Sequence, residues 1–207
     1  SPVLAQMLAA DTSAEVRVAA ARRCGSPAAL LAALKAEVEP AVRTAVATAL
    51  GELLAVSPDA GAARAVLDAP ECPDAVRAEL ALRTQDDERR RAAIDGIGDE
   101  DELVRVALEA GHASVRIAAA ERVQSAEPLR RLLKGSIDKD RGVARLARER
   151  LDNLQRRVDA ASAADALLAE AEALVARPGP IVMAAVELDR RWNALALDDE
   201  PDRRARW

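Results

Sequence analysis

One phrase returns along this chain often enough to fix its architecture. An acidic residue, replaced by a small one in some copies, is followed by Val-Arg and then by a small apolar run. Glu15, Val16, Arg17, Val18, Ala19 and Ala20 form one copy, and Ala41, Val42, Arg43, Thr44, Ala45 and Val46 form the next, 26 residues on. Ala75, Val76, Arg77 and Ala78 are another, and Ser114, Val115, Arg116, Ile117, Ala118 and Ala119 are the clearest late copy. Glu88 to Ala93 is a degraded copy whose Arg90 lies 26 residues before Arg116, and Gly142 to Ala147 closes the series with Arg145 displaced by one position. A fixed period of this length is the mark of a repeat architecture, in which each unit covers its neighbour.

A second phrase falls between these copies. Ser-Pro occurs at Ser1-Pro2, Ser26-Pro27 and Ser57-Pro58, and Ser125 to Pro128 is a variant. Serine is a good helix N-cap and proline is tolerated in the first helical turn. Each phrase therefore predicts a helix start, with helices over residues 3–10, 28–36 and 129–134. The run Asp99, Glu100, Asp101 and Glu102 predicts another, reaching Ala110, because acids favour a helix N-terminus. Each period then holds two short helices joined by tight turns. Neither can hide its apolar face alone, so the pairs are expected to stack into an all-α solenoid, an α-α superhelix of short helix pairs. Between residues 57 and 98 the alternation is irregular, and the sequence does not assign helices there to layers.

Composition agrees with thin, closely packed layers. Roughly a quarter of the chain is Ala, the strongest helix former. Phe and Tyr are absent, and Trp192 and Trp207 are the only aromatic residues. The net charge of −5 gives no global attraction to nucleic acid or acidic membranes. No window is apolar enough for a spanning helix, so no membrane association is expected. Cys24 and Cys72 stand alone without CxxC spacing and read as small buried hydrophobes, which points to the cytoplasm. No signal peptide is visible, and a start at Ser1 rather than Met suggests an excised piece.

The Val-Arg and Ala-Ala pattern resembles HEAT-type repeats in the short form found in many bacterial proteins, over about residues 1–150. That resemblance implies that the arginine after valine pairs with acidic residues of a neighbouring turn, a structural role for Arg17, Arg43, Arg77 and Arg116. It places a repeat solenoid at residues 1–151. From Val143 to about Arg177 no helix breaker occurs, and Pro178, Gly179 and Pro180 then force a turn. Ile181, Ala185, Leu188, Trp192 and Leu195 recur at spacings of 4, 3, 4 and 3, a heptad-like seam. Residues 152–207 are thus expected to form an antiparallel helical hairpin with a coiled-coil-like seam. The phrase Glu187 to Leu195 resembles bacterial proteins carrying domain-of-unknown-function family 349, which combine helical repeats with coiled coils. That resemblance implies a natural chain continuing beyond Trp207.

Reaction chemistry finds little support. His112 is the only histidine, so multi-histidine metal sites are not expected, and its position suits a helix start. Asp99 to Glu102 lacks the alternation and Gly turn of a calcium loop. Gly96, Ile97 and Gly98 lack the rest of a nucleotide fingerprint and read as a helix stop. No GxSxG elbow is present. No catalytic residue, metal or cofactor is expected, and the chain reads as non-enzymatic.

One charge asymmetry remains. Residues 127–157 carry ten basic residues (Arg130, Arg131, Lys134, Lys139, Arg141, Arg145, Arg148, Arg150, Arg156 and Arg157) against five acids. This belt reads either as a solvated surface with i,i+4 pairs such as Arg145 with Glu149, or as a docking patch for an acidic partner or phosphates. With Trp192, its residues Arg130 to Arg148 are the candidate partner-binding set. The leading expectation is a protein-interaction scaffold with a protein partner. The alternative is duplex nucleic acid held through the belt. Some HEAT-like proteins are DNA glycosylases, but residues 1–150 contain none of the aromatic residues such a cleft would use. Trp192 is too large for an Ala-rich partner helix to cover, so the hairpin is expected to dock on another helical surface, with self-association as one route. Trp207, at the terminus, is expected to be solvated.

Overall fold

A computed structural model describes residues 1–69, 72–176, 179–195, 205 and 207. Among these the chain is all helical, with no strand. In order, the helices are α1 (Pro2–Ala10), α2 (Ala14–Arg23), α3 (Pro27–Ala36), α4 (Pro40–Val56), α5 (Ala60–Leu67), α6 (Asp74–Arg83), α7 (Asp87–Gly96), α8 (Glu100–Glu109), α9 (Ala113–Ala120), α10 (Ala126–Ser136), α11 (Arg141–Val175) and α12 (Val182–Asn193). The chain divides into two compact units, Ser1–Ala147 and Arg148–Trp207, and the division falls within α11.

The first unit is a stack of helix pairs in two layers. Helices α2, α4, α6, α8 and α10 pack side by side in one layer. In the other, α1 packs on α3, and α5, α7 and α9 follow one another. The core between them is built of Leu, Val and Ala: Leu30, Val42, Val46, Leu50, Val76, Leu80, Val106, Leu129 and Leu132 are fully buried. Thin side chains allow close approach. Where α4 meets α6, a Cβ added to Gly51 would collide with the Glu79 Cβ and lie 2.9 Å from the Val76 carbonyl oxygen.

Ser1, Ser26 and Ser125 each stand at the N-cap of a helix, though of these three only Ser26 makes a side-chain capping bond. Ser26 Oγ accepts from the Ala29 amide, Ser13 Oγ from Val16, and the Asp99 carboxylate from Asp101. Pro2, Pro27 and Pro40 stand at the first position of their helices. One Ser-Pro phrase behaves differently. Ser57 ends α4, a helix of 17 residues, and α5 begins only at Ala60. The apolar run of α4 continues past the length of its neighbours, so Ser57 serves as its C-cap. Most stops are made by an extended residue, such as Asp11, Glu37, Thr84 or Ala110, rather than by a left-handed one. Ile97 fills that role after Gly96, consistent with the expected stop.

The irregularity between residues 57 and 98 has a structural origin. The Val-Arg phrase sits in one layer on α2, α4 and α6, then in the other on α7 and α9. Successive helices alternate in direction, so their turns fall on two edges of the stack. The arginine phrase changes edge where α6 passes to α7.

The second unit pairs the latter part of α11 with α12. Ala164, Leu167, Leu168, Leu188 and Trp192 form its core, flanked by Ala160, Ala171, Leu174 and Leu195. Of the expected seam, Leu188 and Trp192 are buried, Ile181 and Leu195 are half-buried, and Ala185 is exposed. Gly179 in the connecting turn adopts φ +133°, a conformation that favours glycine. Pro178 lies outside the described residues.

Candidate functional site

The repeat arginines are spent inside the fold. Arg17 Nε and Nη2 donate to Glu37 Oε2 and Oε1 at 2.7 and 3.1 Å, and Nη1 donates to the carbonyls of Asp11 and Thr12. Arg43 donates to the carbonyls of Leu34 and Glu37. Arg77 reaches those of Leu67, Ala69 and Cys72 and the Asp74 carboxylate. Arg90 reaches the Thr84 carbonyl and Asp87. Arg116 Nε donates to Asp140 Oδ2 at 2.6 Å, and Nη1 to the carbonyls of Ala110 and Gly111. In each case a guanidinium near a helix N-terminus satisfies carbonyls left open at the end of the preceding helix. Arg17 and Arg116 also grip a carboxylate in the next turn along the same edge.

Carboxylates continue the stitching where arginine does not. Asp74 Oδ2 accepts the amides of Gly98 and Asp99 at 2.9 and 2.7 Å, and Glu100 accepts those of Gln124 and Ser125. Arg122 donates to the Ile97 carbonyl. These bonds join turns 24 to 25 residues apart, one repeat to the next.

The electrostatics follow from this geometry. The hydrogen bond from Arg17 lowers the Glu37 pKa to about 2, helped by the amides of Glu39 and Val38. The hydrogen bond from Arg116 lowers that of Asp140, against some desolvation and with help from the Val143 amide.

A further arginine escaped the repeat search. Val104-Arg105 on α8 sits among the acids of Asp99 to Glu102, which hid the phrase in the sequence. Arg105 donates to Glu102 at 2.8 Å and to Glu79 at 2.7 Å, linking α8 to α6. Burial opposes its charge, but those two carboxylates outweigh it and raise its pKa. Glu79 is itself buried and ion-paired with Arg83, which reaches Glu52 on α4. The signal was available in the spacing, since Glu79 and Arg105 stand 26 residues apart.

The basic belt divides between the units: Arg130, Arg131, Lys134, Lys139, Arg141 and Arg145 fall in the first, and Arg148, Arg150, Arg156 and Arg157 in the second. Arg130 pairs with Glu127 at 3.2 Å, and Arg131 pairs with Asp101 of α8. Arg145 is exposed and has a polar partner. Arg148 is exposed. Lys134, Lys139 and Arg141 are exposed and flank in sequence the turn from α10 to α11, where Ile137 is half open to solvent. No family model, curated protein or solved structure matches this chain.

Other candidates resolve into structural roles. His112 is the exposed N-cap residue of α9. Cys24 and Cys72 are buried, and their thiols lie 3.9 and 3.8 Å from the carbonyl oxygens of Ser26 and Pro73. A cleft of about 650 Å³ between α1 and α3 is lined by Ala5, Leu8, Ala9, Ala29 and Ala32, with the Arg17–Glu37 pair at one end. No described helix is long and apolar enough to cross a membrane.

Trp192 and Trp207 refine an expectation. Trp207 is exposed, as expected of the terminus, but its ring is not isolated. It stacks on Trp192 with centroids 4.4 Å apart and planes 5° apart, and its Nε1 donates to Asp189 at 3.4 Å. Trp192 is buried, in a cluster with Ala164, Leu167, Leu168 and Leu188. Opposite that seam, α12 exposes Val182, Met183 and Val186.

Proposed function

We propose that the protein is a non-enzymatic interaction scaffold built on HEAT-type repeats, and that it engages an acidic protein partner at the turn from α10 to α11. The observation carrying this reading is the contrast between arginines. Those of the repeat are consumed by carbonyls and carboxylates of neighbouring turns, whereas Lys134, Lys139 and Arg141 stand exposed and flank an apolar Ile137 in sequence. Cations around an apolar contact suit an amphipathic acidic protein surface, in which charge sets orientation and the apolar group adds affinity. A duplex backbone is the weaker fit. Arg130 and Arg131 already face Glu127 and Asp101, which reduces the positive field a phosphate chain would need. Self-association belongs to the same class of function, and the exposed Val182, Met183 and Val186 are the surface through which it would act.

The test is affinity capture from a lysate treated with nuclease, using the unmodified chain and the triple variant Lys134→Glu, Lys139→Glu, Arg141→Glu. The reading expects a protein that is retained after nuclease and released by the charge reversal, with unchanged thermal unfolding. Retention lost with nuclease, together with low-salt binding to duplex DNA, would replace the scaffold reading with nucleic-acid binding.

A further inference from the structure

The arginine ladder is incomplete between α7 and α9. In Arg17 and Arg116 the Nε atom is the donor that crosses to the next turn, reaching Glu37 at 2.7 Å and Asp140 at 2.6 Å. Arg90 is the repeat arginine of α7. Its Nη1 and Nη2 donate to Asp87 and to the Thr84 carbonyl, and its Nε has no acceptor among the described residues. That atom is not sealed in the core, unlike the Nε atoms of Arg77 and Arg122. The sequence of the facing turn gives the reason. Asp140 stands three residues before Val143, whereas His112 stands three residues before Val115. Ala110 to Ser114 hold no acid, and Glu109 just before them faces Arg105 at 3.9 Å.

A cavity of about 300 Å³ lies at this point, lined by Asp87, Arg90, Arg91 and Ile94 of α7 and by Ser114 and Ala118 of α9. Arg90 is only 8% exposed, so the fold holds its guanidinium in place. Arg91 is exposed, and its Nε donates to the Asp87 carbonyl, which leaves both of its Nη groups without an acceptor among the described residues. Ser114 is exposed as well. Its amide is the counterpart of the Gly142 amide that binds Asp140, and it has no acceptor among the described residues. Two arginines and one aspartate give the cavity a net charge of +1, which one carboxylate balances and a phosphate dianion exceeds. Ile94 and Ala118 suit the short methylene stem of an acidic side chain.

We propose that this cavity is a binding site for a single carboxylate, the Asp or Glu side chain of an acidic partner segment, held as Asp140 is held in the next rung. Arg90 Nε and Arg91 donate to its oxygens as charged hydrogen bonds, and Ser114 adds a donor from α9. The source of the carboxylate rests on the scaffold reading, since it belongs to the same acidic partner. Arg116 bonds both the carbonyls of the turn from α8 to α9 and Asp140 at the start of α11, so the cavity lies one rung from Lys139 and Arg141. An acidic segment lying along these turns meets both.

The test is side-chain NMR of the Arg90 Nε–H in the full chain, titrated with a blocked Gly-Asp-Gly peptide. Blocked Gly-Asn-Gly and inorganic phosphate are the comparisons. The expected result is a saturable shift with Gly-Asp-Gly, none with Gly-Asn-Gly, and a smaller one with phosphate at equal concentration. Arg91→Gln, at an exposed position, should weaken the Gly-Asp-Gly response severalfold. His112→Asp, which sets an acid in the Asp140 register, should abolish it. An Arg90 resonance that stays fixed, or that responds as much to Gly-Asn-Gly or more to phosphate, would overturn the proposal, as would undiminished affinity in either variant. Reversing Lys134, Lys139 and Arg141 leaves this cavity intact. A lysate partner unaffected by that reversal, with the Arg90 shift retained, sinks the scaffold reading at α10 and α11 alone. A fixed Arg90 resonance with a reversal-sensitive partner sinks this site alone.

Discussion

At Arg116 one guanidinium satisfies two carbonyls ending α8 and one carboxylate in the next turn, and removing it leaves all three without their donor. Charged hydrogen bonds of this kind make Arg116→Ala destabilising by about 1–3 kcal/mol, to be measured by urea unfolding. An unchanged midpoint would deny the arginine a structural role. The carboxylate partners set the pH response. Glu37 has an ordinary pKa near 4.5 and a folded value of about 2, and Asp140 is lowered in the same direction. A depressed folded value means the contribution is complete above the unfolded pKa and is lost as the pH falls through the folded one. Stability should therefore decline from about pH 4.5 downward. Glu37→Gln should flatten that decline, as thermal unfolding across the acid range would show. Gly51 tests packing. Alanine favours a helix by about 1 kcal/mol over glycine, but here its Cβ would strike Glu79 and the Val76 carbonyl. Overpacking of about 1–3 kcal/mol should win, so Gly51→Ala should lower the melting temperature. A higher one would mean that α4 and α6 lie further apart.

At the scale of elements, the helix pairs, their Ser and Pro starts and the hairpin could be read from sequence because each rests on local chemistry. Proline at N1 and a capping serine act within one turn of helix. What escaped reading depends on distant partners. Arg105 gains its meaning from Glu79 on another helix, and Ser57 ends a helix because α4 keeps its apolar face for 17 residues. The layer change at α6 and α7 was visible only as irregular spacing, since a Val-Arg phrase does not state which layer receives it. The stacking of Trp207 on Trp192 has no local signature at all. It does yield a prediction. Both tryptophans lie in the second unit, so fluorescence reports that unit alone. Trp207→Ser removes the ring stacked on Trp192 and should shift the remaining emission to longer wavelength. Emission that stays blue would mean that the Ala-rich face of α11 shields Trp192 without Trp207.

For the first unit as a whole, stability should be a sum of repeats and of contacts between neighbours. The arginine and carboxylate ladders are those contacts on its two edges, each reaching about one repeat and no further. A defect in one rung should therefore spread to adjacent pairs and stop. The most direct measurement is residue-resolved hydrogen exchange on the full chain and on Arg116→Ala under native conditions. Loss of protection concentrated in α8, α9, α10 and the start of α11, with α1 to α4 unchanged, is the predicted result. Equal loss from α1 to α10, or none anywhere, would contradict a stack held together rung by rung.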